Sequence, residues 1–383
     1  MLPAQDNKRS AFAPGLALFF FISVANAQVS IGESPVELVV EGYANVTTGF
    51  AADETANTTV DDGHTRLDAA LRALLRWSND HGPDVGLRAV VEYSPELELE
   101  FAEASVLVFG GHGRLEIGDR QGLPDVLLGY APNNFTFTGA EFGPASGPSL
   151  DPGGGLQAAF LGSAVSAQLR ELAGLGFAAT LSDDRSTKAL YVAPKARGWL
   201  AGVSYSPEAD DSRFGELAQA GLTHDTYWGE NVLHVGGSYS FARANVRATG
   251  LRDLHSVNVG ATYVWDYDWM LGASITYDGS SATLAPGANE SSISDAWGTV
   301  ISLNYNAGPW TAGAYLQRAT REGDSEFRGN DTLTAAEAGL SYRLSTRIRL
   351  YGAWYYFRLE DEGDSGLRSE HGNLVLLGVR ATL

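Results

Sequence analysis

Apolar and polar residues alternate with a period of two along much of the chain. In the segment from Thr65 to Ser78, one face carries leucine, alanine and tryptophan, and the other face carries every charged residue. The alternation recurs over segments of about ten residues, at 85–93, 297–305, 310–317, 336–344, 348–356 and 375–383. This pattern is typical of β-strands with one apolar face. The segments are longer than the roughly five or six residues usual in soluble sheets.

The connections between these segments alternate in length. Short turns at 266–268, 306–309 and 345–346 interleave with long polar loops, which lie at 51–64, 207–215, 279–295, 321–331 and 359–371. Aromatic residues cluster near the segment ends, where rings would sit at the two membrane–water interfaces. A soluble β-sandwich would need a larger apolar core than these Ala-, Gly- and Thr-rich faces supply. The pattern therefore predicts an all-β fold, a transmembrane antiparallel β-barrel.

The length of the chain sets the number of strands. One strand with its share of turn and loop takes roughly 20–25 residues, so the chain accommodates about 16 strands. A barrel of that size encloses water. The region 156–222 does not divide cleanly into strands on this pattern.

The N-terminus has the pattern of an export signal. Lys8 and Arg9 precede an apolar run from Ala11 to Ala25, and small residues stand at Ala25 and Ala27 on either side of an asparagine. The run is too short for a membrane anchor, and no stop-transfer segment follows it. We therefore predict a cleaved signal peptide at 1–27, a barrel domain at 28–383 and a location in the bacterial outer membrane.

Composition excludes several classes of function. The chain has no cysteine, so it has neither disulfides nor thiolate zinc sites, and its formal charge of −20 disfavours nucleic acid as a partner. The seven histidines lack the spacing of a metal or catalytic site. We expect no cofactor and no enzyme activity, although a Ser–His pair could still meet in space, as in an outer-membrane lipase. The acidic external loops are compatible with simple solubility or with a loosely bound divalent cation that bridges to lipopolysaccharide and other anionic lipid.

One loop breaks the alternation. Strand-like segments at 97–109 and 114–119 are joined by a tight turn, Gly110–Gly113, and are followed by an aperiodic stretch from Asp119 to Gly155. Loops of this length in compact proteins are usually functional. We expect residues 119–155 to fold into the lumen and narrow it, carrying Asp125, Glu141 and Asp151.

Arginines recur on the polar faces of the first strands. The last strand of a closed barrel pairs with the first, which brings the arginines near both ends of the chain to one part of the wall. These are Arg66, Arg72, Arg76, Arg88 and Arg114, flanked by Arg343, Arg347, Arg349 and Arg380. A basic wall facing an acidic loop would set a transverse field across a pore constriction. The alternative is that the arginines are paired locally, with Asp68 or Glu92.

Two regions resemble Gram-negative general porins. The first comprises 101–106, 110–118 and 119–122, and it resembles the strand–turn–strand that leads into the constriction loop of those proteins; the second comprises 188–194 and 198–207. The resemblance implies a 16-stranded, usually trimeric barrel for passive diffusion, with its third loop folded inward. It also implies that the five arginines of the first strands form the basic wall of the constriction, because their strands occupy the corresponding positions in the barrel. The chain departs from the family at its end, where Leu383 stands in place of an aromatic residue.

The function that follows is a water-filled channel for ions and small hydrophilic solutes. A substrate-specific channel of the same fold stays open as an alternative: an anion or phosphate channel would need a continuous ladder of arginines, and a sugar channel would need an aromatic slide. A barrel enzyme such as a lipase is the second alternative. The homotrimer rests on the family resemblance alone.

Overall fold

The computed structural model describes most of the chain after the N-terminal segment. The described residues are 29–30, 36–53, 64–78, 82–94, 98–127, 185–209, 214–245, 253–266, 268–279, 295–322, 330–361 and 370–382. The predicted signal peptide, 1–27, lies outside them, as does most of the predicted constriction loop. No helix in the described ranges is long and apolar enough to cross a membrane.

Strands make up nearly all of the described chain. In chain order they are β1 (Val29–Ser30), β2 (Val36–Asp53), β3 (His64–Trp77), β4 (Asp84–Ser94), β5 (Glu98–Gly110), β6 (Gly113–Asp119), β7 (Thr187–Val192), β8 (Trp199–Ser206) and β9 (Phe214–Trp228). They continue as β10 (Asn231–Ala244), β11 (Leu254–Trp265), β12 (Trp269–Gly279), β13 (Ala296–Ala307), β14 (Trp310–Glu322), β15 (Asn330–Arg343), β16 (Ile348–Asp361) and β17 (Glu370–Thr382). A short helix, α1 (Leu123–Leu127), follows β6.

The strands from β2 to β17 form one closed antiparallel barrel. Each pairs with its neighbours in chain order, and β17 pairs with β2 from Gly372 opposite Asp53 to Thr382 opposite Tyr43. Strand β1 pairs with β2 beyond this stretch, with Val29 opposite Leu38. The closed ring confirms the prediction of 16 antiparallel strands. Within the region 156–222, which the sequence pattern left undivided, the described residues from 185 onward form β7, β8 and the first part of β9.

Side chains alternate between the two faces of the wall as the period of two predicts. On β11, Val257 and Val259 point outward and are 41% and 51% exposed, whereas Ser256 and Asn258 point inward and are buried. An apolar outer face and a polar inner face are the arrangement of a transmembrane barrel. The outer face needs no polar partner because the backbone hydrogen bonds are satisfied within the closed sheet.

The two ends of the barrel differ. One end carries the short turns, such as the pair at Gly308 and Pro309 between β13 and β14, and the other carries the long connections. Outward-facing rings near the short-turn end form a continuous series across β9 to β13, with successive centroids 4.4–5.7 Å apart: Trp228, Tyr263, Trp265, Trp269 and Tyr305. This belt marks one membrane interface.

Candidate functional site in the barrel lumen

The five arginines singled out in the sequence all lie on the inner face of the wall. Strand β3 carries the first three and strands β4 and β6 carry one each: Arg66, Arg72, Arg76, Arg88 and Arg114. Their inward direction follows from the register, because each stands opposite an inward residue of the next strand. On β2 and β3, Glu41 faces Arg72 and Glu37 faces Arg76.

Each of the three arginines on β3 contacts a carboxylate nearby. Arg66 Nε lies 2.6 Å from Asp68 Oδ1, and Arg76 Nε donates to Asp84 Oδ2 over 3.0 Å. Arg72 is paired with Glu41 of β2. Positively and negatively charged side chains therefore alternate on this part of the inner wall. Of the local pairs that the sequence left open, the structure has Arg66 with Asp68, whereas Glu92 is bound by Arg185. The assignment of the five arginines to a pore constriction stays a prediction.

A buried ion cluster spans β4, β5 and β6. Arg88 Nη2 lies 2.9 Å from Glu103, Arg120 contacts both Glu103 at 2.9 Å and Glu116 at 2.8 Å, and Arg114 lies 3.4 Å from Glu116. The side chains of Glu103, Glu116 and Arg120 are at most 4% exposed. Charges so deeply buried are tolerated only when they are paired with good geometry. The cluster therefore fixes the shape of this wall.

Arg120 ties the start of the predicted constriction loop to the wall. It is the first residue after β6, and its guanidinium reaches back to the inner faces of β5 and β6. The chain then enters α1, where the Leu123 amide donates to Gln219 Oε1 of β9 over 2.9 Å. This path directs the chain over the inner wall of β7 to β9.

Two glycines make room for α1 on the inner wall. A Cβ at Gly202 of β8 would lie 2.7 Å from Leu123 Cδ1, and one at Gly221 of β9 would lie 2.9 Å from Leu127 Cδ1. Leu123 and Leu127 are buried with Leu190 and Val192 of β7. The described beginning of the loop therefore packs inside the barrel because the wall there is small and apolar.

The acidic side of the predicted constriction is only partly described. Asp125 lies in α1 on the inner wall. Glu141 and Asp151 lie outside the described residues. The assignment of these three acids to the constriction stays a prediction.

Several side chains of the charged wall lie at positions that the alternation in the sequence did not mark. Glu41 lies on β2, whose alternation from Val36 onward is clear but was not delineated as a strand. Glu103 was hidden by a bulge: Val90 pairs with Glu103 and Val91 with Phe101, so one extra residue of β5 shifts the alternation. Arg120 follows the end of β6 and had no strand position to mark it. Glu116, in contrast, shares a face with Arg114 two residues away, and a stricter count of period two would have found it.

The wall across the lumen carries few charges over four strands of the described chain. From β10 to β13 the inward positions in the described ranges hold mainly small neutral polar residues, among them Ser238, Ser240, Ser256, Asn258, Thr276 and Ser302. One carboxylate, Asp278 of β12, is buried among them and accepts a hydrogen bond from Ser256 Oγ. Hydrogen bonds between strands satisfy several of them; Asn258 Nδ2, for example, donates to Thr276 Oγ1 over 2.7 Å. The lumen therefore has one side rich in charged pairs and one side that is mainly neutral and polar.

A smaller charged group stands at the short-turn end of β9. His234 Nδ1 and Asp225 Oδ1 are 2.6 Å apart, and Lys195, in the turn between β7 and β8, donates to the same carboxylate. This hydrogen bond raises the pKa of the Lys195 ammonium. Within the described ranges, no three histidine or acidic side chains are placed to hold a metal ion. The acidic loops on which a loosely bound cation was expected lie largely outside those ranges.

Comparison with known proteins gives one family and one fold. The sequence model described as "Gram-negative porin" matches residues 15–362. No curated protein sequence matches the chain.

Solved porin-like barrels have a similar structure. OmpT of Vibrio cholerae with its loop L8 deleted superposes with a TM-score of 0.60 at 13% identity, over 91% of this chain and 100% of that chain. The anion-selective porin from Comamonas acidovorans gives 0.58 at 15% identity, over 91% and 100%. A mutant of the Rh. blastica porin gives 0.53 at 13% identity, over 90% and 100%. These likenesses concern the fold, and the family match covers the same region of sequence. The match over residues 15–362, together with the closed barrel, shows that the chain belongs to the family of Gram-negative porins.

Proposed function

We propose that this outer-membrane porin is a general diffusion channel for ions and small hydrophilic solutes. The observation that carries the proposal is the two-sided lumen, with interleaved charges from β2 to β7 and mainly neutral polar residues from β10 to β13. A polar wall without a single dominant charge favours passage by size and orientation over selection of one solute. The family match favours this channel over the barrel lipase that the sequence left open.

The described inner wall supports neither substrate-specific alternative. A phosphate or anion channel would need a continuous ladder of arginines, but carboxylates alternate with the arginines of β3 to β6. A sugar channel would need exposed aromatic rings along the bore. The inward rings of β14 and β16 in the described chain, Tyr315, Tyr351, Tyr355 and Phe357, are all at most 7% exposed, so solutes do not reach them.

The charged side chains of this wall form two groups that differ in exposure and in the role we assign to them. The side chains of Arg76 and Glu41 are each 43% exposed, so mobile ions reach them. Glu103, Glu116 and Arg120 are buried and serve to position the wall and the start of the loop. Selectivity therefore depends on the balance between exposed acids and bases, because exposed charges act on passing ions and buried pairs largely cancel.

The constriction itself is part of the proposal. Residues 119–155 cross the bore, and Asp125, Glu141 and Asp151 face the arginine-bearing strands. Two observations support this path: Arg120 is bound to the wall, and α1 lies against β8 and β9. The field between the two sides then orients dipolar solutes.

The assembly and export of the protein complete the proposal. Residues 1–27 direct export as a cleaved signal peptide, and the mature chain assembles as a homotrimer in lipid and lipopolysaccharide. A trimer form of OmpT from Vibrio cholerae has a similar fold, with a TM-score of 0.58 at 13% identity. The outer face of β3 and β4 offers small side chains for contact between copies, namely Ala69, Ala73 and Ala89.

Conductance in a planar bilayer tests the proposal. The purified protein should insert in discrete steps with ohmic current, and liposomes containing it should swell faster with small neutral sugars than with large ones. Protein that shows the β-sheet circular dichroism of a folded barrel but passes neither ions nor sugars would rule out a diffusion channel. Current that saturates with one solute would favour the substrate-specific alternative.

A further inference from the structure

The inner wall from β15 to β17 is apolar over part of its height. These side chains point into the barrel, because they alternate with outward residues such as Trp354 and Val375, which are 44% and 41% exposed. Leu333 of β15 stands directly opposite Leu359 of β16. A barrel wall that faces water carries polar residues at such positions. We name this set the apolar inner patch: Leu333, Ala335, Phe357, Leu359, Leu374 and Leu376.

The apolar inner patch is covered from the side of the bore. Its six residues are at most 3% exposed. A single layer of side chains on a concave wall leaves the tips of those side chains facing the bore, so burial this complete requires a second layer packed against them. Helix α1 is not that layer, because it packs on another part of the wall, against Leu190 and Val192 of β7 and against glycines of β8 and β9.

One long segment of the chain begins and ends at the inner wall. It comprises the 57 residues from 128 to 184, which lie outside the described ranges. It begins after α1, which packs inside the barrel. It ends at Arg185, whose Nη1 donates to Glu92 Oε2 of β4 over 2.7 Å. Because β17 pairs with β2 to close the ring, β4 is three strands from β17. The segment therefore ends on the side of the barrel that carries the apolar inner patch.

The second half of this segment has the composition that an apolar wall requires. From 156 to 182 the only charged residues are Arg170 and Glu171. The connections that flank the apolar inner patch in the chain, 323–329 and 362–369, are much shorter and carry three charged residues each. Burial of those charges against apolar side chains would be costly. Within 156–182, large apolar residues recur at intervals of three or four, a spacing typical of one apolar face of a helix: Leu161, Val165, Leu169, Leu172 and Leu175.

We propose that residues 156–182 dock on the apolar inner patch and occupy the side of the lumen in front of β15 to β17. The inference rests on the inward course proposed above for the loop after β6, and it adds a contact surface for the chain that follows residue 155. Burial of apolar surface on both partners stabilises the contact. Solutes are then confined to the part of the lumen lined by Arg76 and Glu41, whose side chains are each 43% exposed.

Thiol labelling tests whether the apolar inner patch is covered. The chain has no cysteine, so one introduced thiol gives an unambiguous signal. Leu374→Cys and Arg76→Cys are folded in a neutral detergent, checked by β-sheet circular dichroism and treated with a negatively charged methanethiosulfonate. Leu374→Cys should react at least about 100-fold more slowly than Arg76→Cys, because a covered thiol reacts only after local opening. Equal rates would overturn the proposal. Ion current is not measured, so the result is independent of the channel proposal.

Disulfide formation then identifies the segment that covers the apolar inner patch. Leu374→Cys is combined in turn with Val165→Cys, Leu169→Cys and Leu172→Cys, and each double variant is oxidised with copper phenanthroline. At least one of the three pairs should form a disulfide. Leu374→Cys with Ala288→Cys is the matched control, because Ala288 lies in the connection between β12 and β13, and this pair should stay reduced. Slow labelling without a disulfide in any of the three pairs would mean that other residues cover the wall, and it would overturn the proposal.

Discussion

Arg120 Nη1 lies 2.9 Å from Glu103 Oε2, and this contact joins the first residue after β6 to the inner face of β5. The two residues are 17 positions apart in the chain. Both are buried, and Arg120 bonds to Glu116 as well. The start of the inward loop is thus fixed to the wall by a charge network.

Removal of Arg120 should destabilise the barrel strongly. Arg120→Ala leaves Glu103 and Glu116 buried with one partner fewer, and loss of one partner from a buried network costs about 3 kcal/mol or more. The free energy of unfolding in urea, measured in detergent or lipid, reports this loss. Arg358→Ala removes an exposed pair and should change the same quantity by less than about 1 kcal/mol. Equal effects of the two substitutions would show that the Arg120 network is not structural.

A side chain at Gly202 should displace α1 from the wall. Gly202→Val places a Cβ 2.7 Å from Leu123 Cδ1 and 2.9 Å from the Tyr191 carbonyl, so the helix must move toward the bore. We expect the single-channel conductance to fall while the barrel stays folded. Gly215→Val is the control, because the nearest atom to a Cβ there is 4.0 Å away. An unchanged conductance in Gly202→Val would mean that α1 does not narrow the bore.

The pairing of β17 with β16 and β2, which closes the barrel, leaves room for no side chain at Gly378 because the Tyr351 ring lies against it. A Cβ at Gly378 would collide with the Tyr351 ring, whose hydroxyl donates to Asn45 Oδ1 over 2.9 Å. Gly378→Ala should therefore destabilise the barrel by about 1–3 kcal/mol, the usual effect of overpacking. Urea unfolding measures it, and Gly215→Ala provides the reference. If Gly378→Ala unfolds at the same urea concentration as that reference, the tyrosine does not hold the closure.

Much of the fold follows from the period of two. The alternation in β3 and in β13 to β17 predicted both the strands and their inner faces, because one residue in two meets lipid and must be apolar. The strand count followed from the length of the chain. The site was harder to predict. Arg72 is paired with Glu41, 31 residues away, and the register of the β2–β3 pair, which the sequence pattern did not specify, places the two opposite each other.

Two local features escaped prediction for physical reasons. The bulge at Ala102 reverses the alternation in β5, so a strict count places Glu103 on the lipid face. Arg120 acts after β6 has ended, where no periodicity applies. In both cases the residue's role comes from contacts with other strands, which a single sequence does not specify.

The central claim is that exposed, oppositely charged side chains on the inner wall of β2 to β7 govern the passage of ions. The most direct test is the reversal potential in a planar bilayer under a salt gradient, for the wild type, Arg76→Gln and Glu41→Gln, with Arg358→Gln as the control outside the lumen. Loss of Arg76 should shift the reversal potential toward cation selectivity, and loss of Glu41 should shift it toward anion selectivity, because each removes one sign of charge that mobile ions meet. The control should match the wild type. Identical reversal potentials in all four proteins would contradict the account.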